Sequence, residues 1–200
     1  MYGDFIMTTR ESKDLVSRWI EEGVFEEMLP EVAALREVPQ PEIYHAEGDA
    51  FVHTMLAIDA VDDDDDPRVF WGVMLHDIGK ASTTDFIDGR WRSLGHDRVG
   101  AELAPLVMIR LGMPELADDV AWLVRHHTFH FSWNLRPEDG LTRRQAAFVR
   151  EPLFPLLLRV CSADAAGSWG GSSKGDVVRL IEDLIYDKDP LELSAREGRS

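Results

Sequence analysis

Apolar residues recur at the spacing of an α-helix along most of the chain, whereas no stretch alternates convincingly between apolar and polar positions. A first helix is indicated by Leu15, Trp19 and Ile20, with Ser12 or Asp14 as its N-cap. Further helices are predicted over residues 48–61, 67–79, 95–111, 114–127, 143–150, 153–166 and 176–186. The pattern therefore predicts an all-α fold in which a single helical bundle forms the core.

Breaks in this pattern locate the connections and the ends of the main domain. Residues 83–94 contain the turn signal Asp88-Gly89 and are predicted to form a loop or a short ribbon. Glycine and serine are concentrated in residues 167–175, which we expect to be flexible. We predict three parts, namely an N-terminal helix and extension over residues 1–23, the main domain over 24–170, and a C-terminal helix with a flexible tail over 171–200.

Composition narrows the classes of function that need to be considered. The net charge of −16 argues against extended nucleic-acid binding, but it leaves room for a small phosphorylated ligand held by local cations. The single cysteine, Cys161, excludes an internal disulfide and lies in an apolar run, so we expect it to be buried. No signal peptide and no membrane-spanning segment are recognisable, which favours a cytoplasmic protein. The acidic run Asp62–Asp66 lacks the ligand spacing of a calcium loop and is interpreted as a solvated turn.

Side chains that bind divalent metals follow one another over about half of the chain. In order they are His53, His76, Asp77, His96, His127 and Asp164. Most of them fall at or near predicted helix ends, and converging helix ends can direct several side chains into one cavity. One metal could take His53, His76, Asp77 and Asp164, and Asp77 could bridge to a second metal completed by His96 and His127. The donor set suits Mn, Fe, Co, Ni, Zn or Mg, as one ion or two.

Such a centre would serve the hydrolysis of phosphate esters, because a bound metal generates hydroxide at neutral pH. Asp77, Lys80 and His96 are the predicted catalytic residues, although His96 could also bind phosphate directly or cap its helix. Lys80 follows Asp77 by about one helical turn and could hold a non-bridging phosphate oxygen. The predicted substrate-binding residues are Lys80, Arg92, Arg98 and His130.

Two neighbouring assignments are less direct. The adjacent His126 and His127 must point in different directions on a helix, and we favour His127 as the ligand because its spacing from Leu123-Val124 better fits the family resemblance described below. The polar residues His45, Glu47 and Asp49 are predicted to orient ligand imidazoles from outside the centre. Helix capping is an equally good interpretation of these three, above all of Asp49.

The residue order, together with the run His76–Lys80, resembles the HD superfamily of metal-dependent phosphohydrolases. A narrower similarity, to the HD domain of bacterial CCA-adding enzymes (tRNA nucleotidyltransferases), is carried by Leu29–Val32, Tyr44–Thr54, Gly95-His96, Leu123–Arg125 and Ala163–Gly167. The resemblance implies an all-helical HD domain and makes His53, His76, Asp77 and Asp164 the core metal ligands. It adds His96 and His127 where two metals are bound. The nucleotidyltransferase head has no counterpart in this sequence, so tRNA end synthesis is not carried over.

The sequence therefore favours a stand-alone HD phosphohydrolase for a small phosphomonoester or phosphodiester, such as a nucleotide or a 2′,3′-cyclic nucleotide. Two alternatives remain open at this point. Similar ligand orders occur in helical di-iron oxygenases, although Lys80 in its HDIGK context favours hydrolysis. A nucleotide-binding module that keeps the metal without turnover is the other alternative. The sequence leaves the oligomeric state undetermined.

Overall fold

The computed structural model describes residues 7–133, 135, 140–170 and 174–186, and these are mostly helical. The α-helices are α1 (Thr9–Glu21), α2 (Phe25–Met28), α3 (Pro30–Ala33), α4 (Ala50–Asp59), α5 (Pro67–Leu75), α6 (Lys80–Thr83), α7 (His96–Arg110), α8 (Ala117–His126), α9 (Arg143–Phe148), α10 (Phe154–Gly167) and α11 (Lys174–Tyr186). Short 3₁₀ helices cover Pro114–Leu116 and Phe129–Ser132. The prediction of an all-α single-domain bundle is confirmed.

Helix α5 lies at the centre of the bundle and packs against α1, α4, α8 and α10. Every residue from Val69 to Leu75 is buried, so this helix is apolar on all sides, as a core helix must be. Val16 of α1 and Ile181 of α11 belong to the same hydrophobic core. The division of the chain at residues 23 and 170 stays a prediction.

The start of α1 differs from the sequence prediction. Thr8 is the N-cap, and it forms a capping box with Glu11, whose backbone N–H donates to the threonine hydroxyl at 3.2 Å. Ser12 lies inside the helix and donates its hydroxyl to the carbonyl of Thr8. The predicted caps Ser12 and Asp14 are therefore wrong, because the threonine and glutamate one turn earlier satisfy the free backbone groups.

Residues 83–94 form a short ribbon, as one of the two sequence interpretations predicted. Strands β1 (Thr84–Ile87) and β2 (Arg90–Ser93) pair antiparallel. The turn residues Asp88 and Gly89 both have positive φ, 52° and 77°, as a two-residue hairpin turn requires. The ribbon connects α6 to α7. The chain therefore passes from the end of α5 through α6 and the ribbon to His96, the first residue of α7.

Close backbone contacts bring the helix ends together. A Cβ atom on Gly79 would lie 2.1 Å from the carbonyl oxygen of His96, so only glycine allows the turn after α5 to pack on the start of α7. A Cβ atom on Gly167 would likewise lie 2.8 Å from the backbone nitrogen of Ala57. The first contact fixes where α7 approaches the turn after α5, and the second fixes where α10 approaches α4.

The flexible tail predicted for the C-terminus falls mostly on residues 171–173 and 187–200, which lie outside the described residues. Among the helices of the described part of the chain, none is long and apolar enough to cross a membrane. Cys161 is buried, as predicted, and its thiol donates to the backbone carbonyl of His127 at 3.2 Å.

Candidate metal centre

The six side chains predicted to bind metal come together at the end of α5. Five of them are almost fully buried, and His96 keeps 16% of its side chain exposed. His53 lies on α4, His76 is the C-cap of α5, and Asp77 follows it. The remaining three are His96 at the start of α7, His127 as the C-cap of α8, and Asp164 on α10. Converging helix ends thus place these side chains as the sequence analysis expected.

The six residues form two groups that meet at Asp77. In the first group, Asp164 Oδ1 lies 2.8 Å from His53 Nε2 and 3.7 Å from His76 Nε2. In the second group, Asp77 Oδ1 lies 3.5 Å from His96 Nε2 and 3.8 Å from His127 Nε2. The other oxygen of Asp77 lies 3.2 Å from His76 Nε2 and so faces the first group. One carboxylate therefore reaches both groups.

The four histidines are oriented in the same way, with Nδ1 outward and Nε2 toward the carboxylates. Nδ1 of His76, His96 and His127 donates to the backbone carbonyls of Val73, Ser93 and Val124, each at 2.7 Å. A carbonyl oxygen only accepts, so Nδ1 carries the hydrogen, and a neutral ring then has its lone pair on Nε2. His53 Nδ1 lies 3.0 Å from Glu47 Oε1, which imposes the same orientation.

This arrangement fits a cation better than it fits any set of hydrogen bonds. Nε2 of His96 and Nε2 of His127 lie only 3.2 Å apart, although both are acceptors when Nδ1 carries the hydrogen. His76 Nε2 is buried and makes no hydrogen bond within the described residues. Four imidazole lone pairs and two carboxylates are the ligands that borderline divalent metals accept. The residues present therefore fit a centre of one or two such ions.

The charge states of the two carboxylates suit metal binding. Burial raises the pKa of Asp77, but His76 and Lys80 outweigh it and hold that pKa well below the usual range. Burial likewise raises the pKa of Asp164, and Lys174 and His53 bring it well below its usual value. Both groups are therefore ionised at neutral pH, the form that coordinates metal.

The histidines differ from one another in their tendency to hold a proton. Burial and the neighbouring His96 and His76 lower the pKa of His127 well below its usual value, so His127 is neutral. Burial also lowers the pKa of His76, but Asp77 and Asp164 outweigh it and raise that pKa.

Two lysines contact the carboxylates, and only one of them was recognised from the sequence. Lys80 Nζ lies 2.7 Å from Asp77 Oδ2 and donates to Gln40 Oε1 at 2.7 Å. Lys174 Nζ donates to Asp164 Oδ1 at 2.8 Å. Lys174 lies within the glycine- and serine-rich segment 167–175 and has no informative spacing from the other site residues, so nothing in the sequence indicates this contact.

The buried side chain of Glu47 contacts Nδ1 of His53, the ring nitrogen that points away from Asp164. Its Oε1 accepts from His45 Nδ1 at 2.7 Å and lies 3.0 Å from His53 Nδ1, while Oε2 accepts from the Trp169 backbone N–H at 2.8 Å. Burial lowers the pKa of His45 to about 4, helped by Lys174 and Lys80. Asp49 instead caps α4 by accepting from the Val52 N–H, so the capping interpretation is confirmed there.

The predicted substrate-binding residues are spread over more than one environment. Arg98 is exposed and lines an open cleft together with Arg125, His126, Phe129 and neighbours of His96 and His127 in the sequence. Arg92 lies on the ribbon, 3.4 Å from Asp88. His130 was expected near the mouth of the site, but it is only 2% exposed, because the 3₁₀ helix after α8 turns it inward.

The adjacent side chains of His126 and His127, at the end of α8, lie in different environments. The ring of His126 lies 4.4 Å from that of Trp122 and 5.4 Å from that of Phe148. Its Nδ1 donates to the carbonyl of Trp122 at 2.8 Å, inside the same helix. His127, by contrast, reaches His96 and Asp77. The geometry places His127, and not His126, among the candidate ligands.

Comparisons with known proteins agree with this geometry. The Multifunctional CCA protein of Alkalilimnicola ehrlichii is 38% identical over 154 residues, and that of Halorhodospira halophila is 36% identical over 168. These alignments cover 74% and 78% of this chain but only 37% and 40% of the relatives, so the chain spans about two-fifths of their length. The HD domain profile matches residues 43–166, a range that contains all six candidate ligands. The chain therefore belongs to the HD domain family, whose fold implies metal-dependent phosphohydrolase activity.

Proposed function

We propose that this protein hydrolyses a small phosphomonoester or phosphodiester, such as a nucleotide or a 2′,3′-cyclic nucleotide, with one or two divalent metals. The observation that carries the proposal is the convergence of four Nε2 atoms on two ionised carboxylates. In this proposal His53, His76 and Asp164 hold one ion, His96 and His127 hold the second, and Asp77 serves both. A divalent metal held by these residues would lower the pKa of a bound water and withdraw charge from the phosphate.

The protein's own groups would orient and stabilise the substrate. Lys80 is fixed between Asp77 and Gln40, so its ammonium group is positioned to hold a non-bridging oxygen of the phosphate. His96 is the most exposed of the candidate ligands, and its sequence neighbours Gly95 and Asp97 line the cleft. Arg98 borders the cleft next to it and would contact a second anionic group of the substrate.

The nucleotide assignment rests on similarity and on the surroundings of the cleft. The choice of a nucleotide follows the resemblance to the HD domain of CCA-adding enzymes, and the relatives at 35–38% identity carry the name Multifunctional CCA protein. This chain matches only part of them, so tRNA is left out of the proposed substrates. The aromatic ring of Phe129 and the guanidinium of Arg98 both line the cleft, and together they suit a base and a phosphate.

The decisive experiment measures metal content and turnover in the same preparation. Untagged protein purified without added metal is analysed by plasma mass spectrometry and assayed against p-nitrophenyl phosphate, nucleoside monophosphates and 2′,3′-cyclic nucleotides. Bound metal together with release of phosphate from a monoester, or with opening of a cyclic diester to a nucleoside monophosphate, supports the proposal. Two irons with substrate-dependent oxygen consumption would replace it with the oxygenase, and tight nucleotide binding without product would replace it with the binding module.

Two adjacent histidines provide a matched pair of variants for the same assay. We expect His127→Ala to lose metal and turnover, since it removes an Nε2 from the second group. His126→Ala should retain both, because that ring stacks on Trp122 outside the centre. Equal loss in the two variants would contradict the assignment of the ligands.

A further inference from the structure

The two histidines of the second group come from different helices, and an ion pair joins those helices beside them. His96 is the first residue of α7, and His127 is the C-cap of α8. Asp97, which directly follows His96, accepts a hydrogen bond at Oδ2 from Nη1 of Arg125, two residues before His127. The pair therefore connects the two backbone segments that carry the rings of His96 and His127.

His96 is the less firmly held of these two rings. Its side chain is 16% exposed, whereas that of His127 is 3% exposed. The Nδ1 of His96 donates to the carbonyl of Ser93, which belongs to the two-stranded ribbon, and a ribbon of this size is only marginally stable by itself. Gly95 is the N-cap of α7 and provides no side-chain hydrogen bond to the first turn. The position of His96 therefore depends on other contacts made by the first turn of α7.

Asp97 provides such a contact. It lies in the first turn of α7, where a carboxylate also interacts favourably with the free backbone N–H groups. The side chains of Asp97 and Arg125 both line the cleft and are 17% and 40% exposed. A hydrogen bond between a guanidinium and a carboxylate is charge-assisted and directional, so it restrains the start of α7 relative to the end of α8.

We propose that Asp97 and Arg125 form a positioning pair, which holds His96 beside His127 and thereby sets the affinity of the second group for its metal ion. This inference rests on the proposed function, because it concerns the second ion, and it adds how that ion is retained. The Nε2 atoms of His96 and His127 lie 3.2 Å apart, and one ion can use both only while the two helix ends stay together. Neither Asp97 nor Arg125 is a metal ligand in this proposal.

The charges of the pair and its positioning effect lead to different expectations. Asp97 adds negative charge beside the second group and would attract a metal ion, whereas Arg125 adds positive charge and would repel it. If the pair acted through charge alone, loss of Asp97 would weaken metal binding and loss of Arg125 would strengthen it. If the pair acts by holding the helix ends, either loss weakens metal binding, and the loss of both has little further effect.

Calorimetric titration of the metal-free proteins with Mn²⁺ distinguishes these two cases without turnover. The variants are Asp97→Asn, Arg125→Met and the double variant, and Arg110→Met is the control. Arg110 pairs with Glu31 at the other end of α7, so its loss should leave Mn²⁺ binding unchanged. His127→Ala provides the reference for a protein whose second group is incomplete. Circular dichroism checks that all variants remain folded.

The expected result is a selective loss of the second ion. Asp97→Asn and Arg125→Met should each bind the second Mn²⁺ about tenfold to hundredfold more weakly, the usual effect of losing a partner outside the ligands, and should bind the first as the wild type does. The double variant should resemble the single ones. Arg125→Lys keeps a cation that can donate to Asp97 and should recover part of the affinity.

The outcomes separate this inference from the proposed function. Tighter Mn²⁺ binding in Arg125→Met, additive losses in the double variant, or equal weakening of both ions would overturn the positioning pair. A wild-type protein that binds a single Mn²⁺ and still hydrolyses phosphate esters would also overturn it, while leaving the hydrolase in place. A wild-type protein that binds two ions, loses the second in both single variants and hydrolyses no ester would overturn the hydrolase and support the positioning pair.

Discussion

Carboxylates are concentrated in two regions of this molecule, the acidic turn Asp62–Asp66 and the metal centre, and the groups that face them differ. In the acidic turn the partners are guanidinium and ammonium groups. Arg159 binds Asp65 through two nitrogens, at 2.5 and 3.0 Å, and Arg68 binds Asp66 in the same way, at 2.6 and 2.8 Å. The turn is solvated at Asp62, Asp63 and Asp64, as expected from the sequence, and the ion pairs of Asp65 and Asp66 also tie it to neighbouring helices.

In the metal centre most of the groups that face the carboxylates are imidazole Nε2 atoms. Backbone carbonyls and Glu47 hold these rings with the lone pair inward, so ring acceptors face carboxylate acceptors although Lys80 and Lys174 also contact the two carboxylates. In the acidic turn, by contrast, the positive charges are the permanently charged guanidinium groups of Arg68 and Arg159. The comparison teaches that the orientation of the neighbours, and not the number of acidic residues, distinguishes a metal site from a structural ion-pair cluster.

The strongest test of this difference is the replacement of the shared carboxylate. We expect Asp77→Asn to lose metal from both groups and to lower kcat/KM about a thousandfold, because a catalytic metal supplies several kcal/mol of transition-state stabilisation. Metal analysis and steady-state kinetics measure the two effects. Asp65→Asn is the matched control in the acidic turn and should keep its metal. Retained metal and turnover in Asp77→Asn would remove the basis for the proposed centre.

A smaller effect is expected at Glu47, which contacts a candidate ligand from outside. Glu47→Gln should lower metal affinity about tenfold to hundredfold, the usual effect of losing a carboxylate behind a ligand imidazole. Titration of metal-free protein with Mn²⁺ or Ni²⁺ measures this affinity. Glu31→Gln removes a carboxylate that pairs with Arg110 away from the centre, and it should bind metal like the wild type. Equal affinity in Glu47→Gln would mean that the backbone alone orients His53.

The sequence predicted the ligands of the candidate centre better than their surroundings. His76 and Asp77 fall at the end of an apolar helix, and the other four candidates could be ordered around them by spacing and by resemblance. The orientation of each imidazole ring, however, depends on which backbone carbonyl or carboxylate contacts its Nδ1. Val73 and Val124 sit one turn before their histidines and provide local partners, whereas the pairing of Glu47 with His53 depends on the path of the chain before α4.

The contacts that the sequence analysis did not predict depend on how the chain folds and not on local spacing. Lys174 meets Asp164 only because α11 packs on α10, and nothing in the spacing of glycine and serine near it indicates this contact. His130, which was predicted to bind substrate, is buried because a 3₁₀ turn follows α8. The acidic run was also interpreted in isolation, while its main cation, Arg159, lies 94 residues further along the chain.

In the acidic turn, the loss of a cation should affect stability and leave the metal in place. Arg159→Ala removes the two bonds to Asp65 and should lower the free energy of unfolding by about 1 kcal/mol, as for a partly exposed pair of good geometry. Urea denaturation at pH 7 measures this change, and metal analysis serves as the control. A loss of metal in this variant would mean that the two regions are coupled.

The same variant has a defined dependence on pH. Burial raises the pKa of Asp65, but Arg159 and the Asp62 N–H outweigh it, so the folded-state pKa lies below the ordinary 3.8. A lowered folded-state pKa gives stability that is present above pH 3.8 and is lost as the pH falls toward the folded value. The stability difference between wild type and Arg159→Ala should therefore shrink below pH 3.8, and a constant difference would contradict this account.

The smallest effect is expected at the outer edge of the acidic turn. Asp63 is 43% exposed and pairs with Arg10 at 3.3 Å and Lys13 at 3.0 Å, so water and salt screen both interactions. Asp63→Asn should lower the free energy of unfolding by about 0.3 kcal/mol in low salt. The difference should vanish in about 1 M NaCl, where the screening length is roughly 3 Å. A loss as large as that of Arg159→Ala, or one that persists in high salt, would show that this carboxylate is as strongly constrained as those at the buried end of the turn.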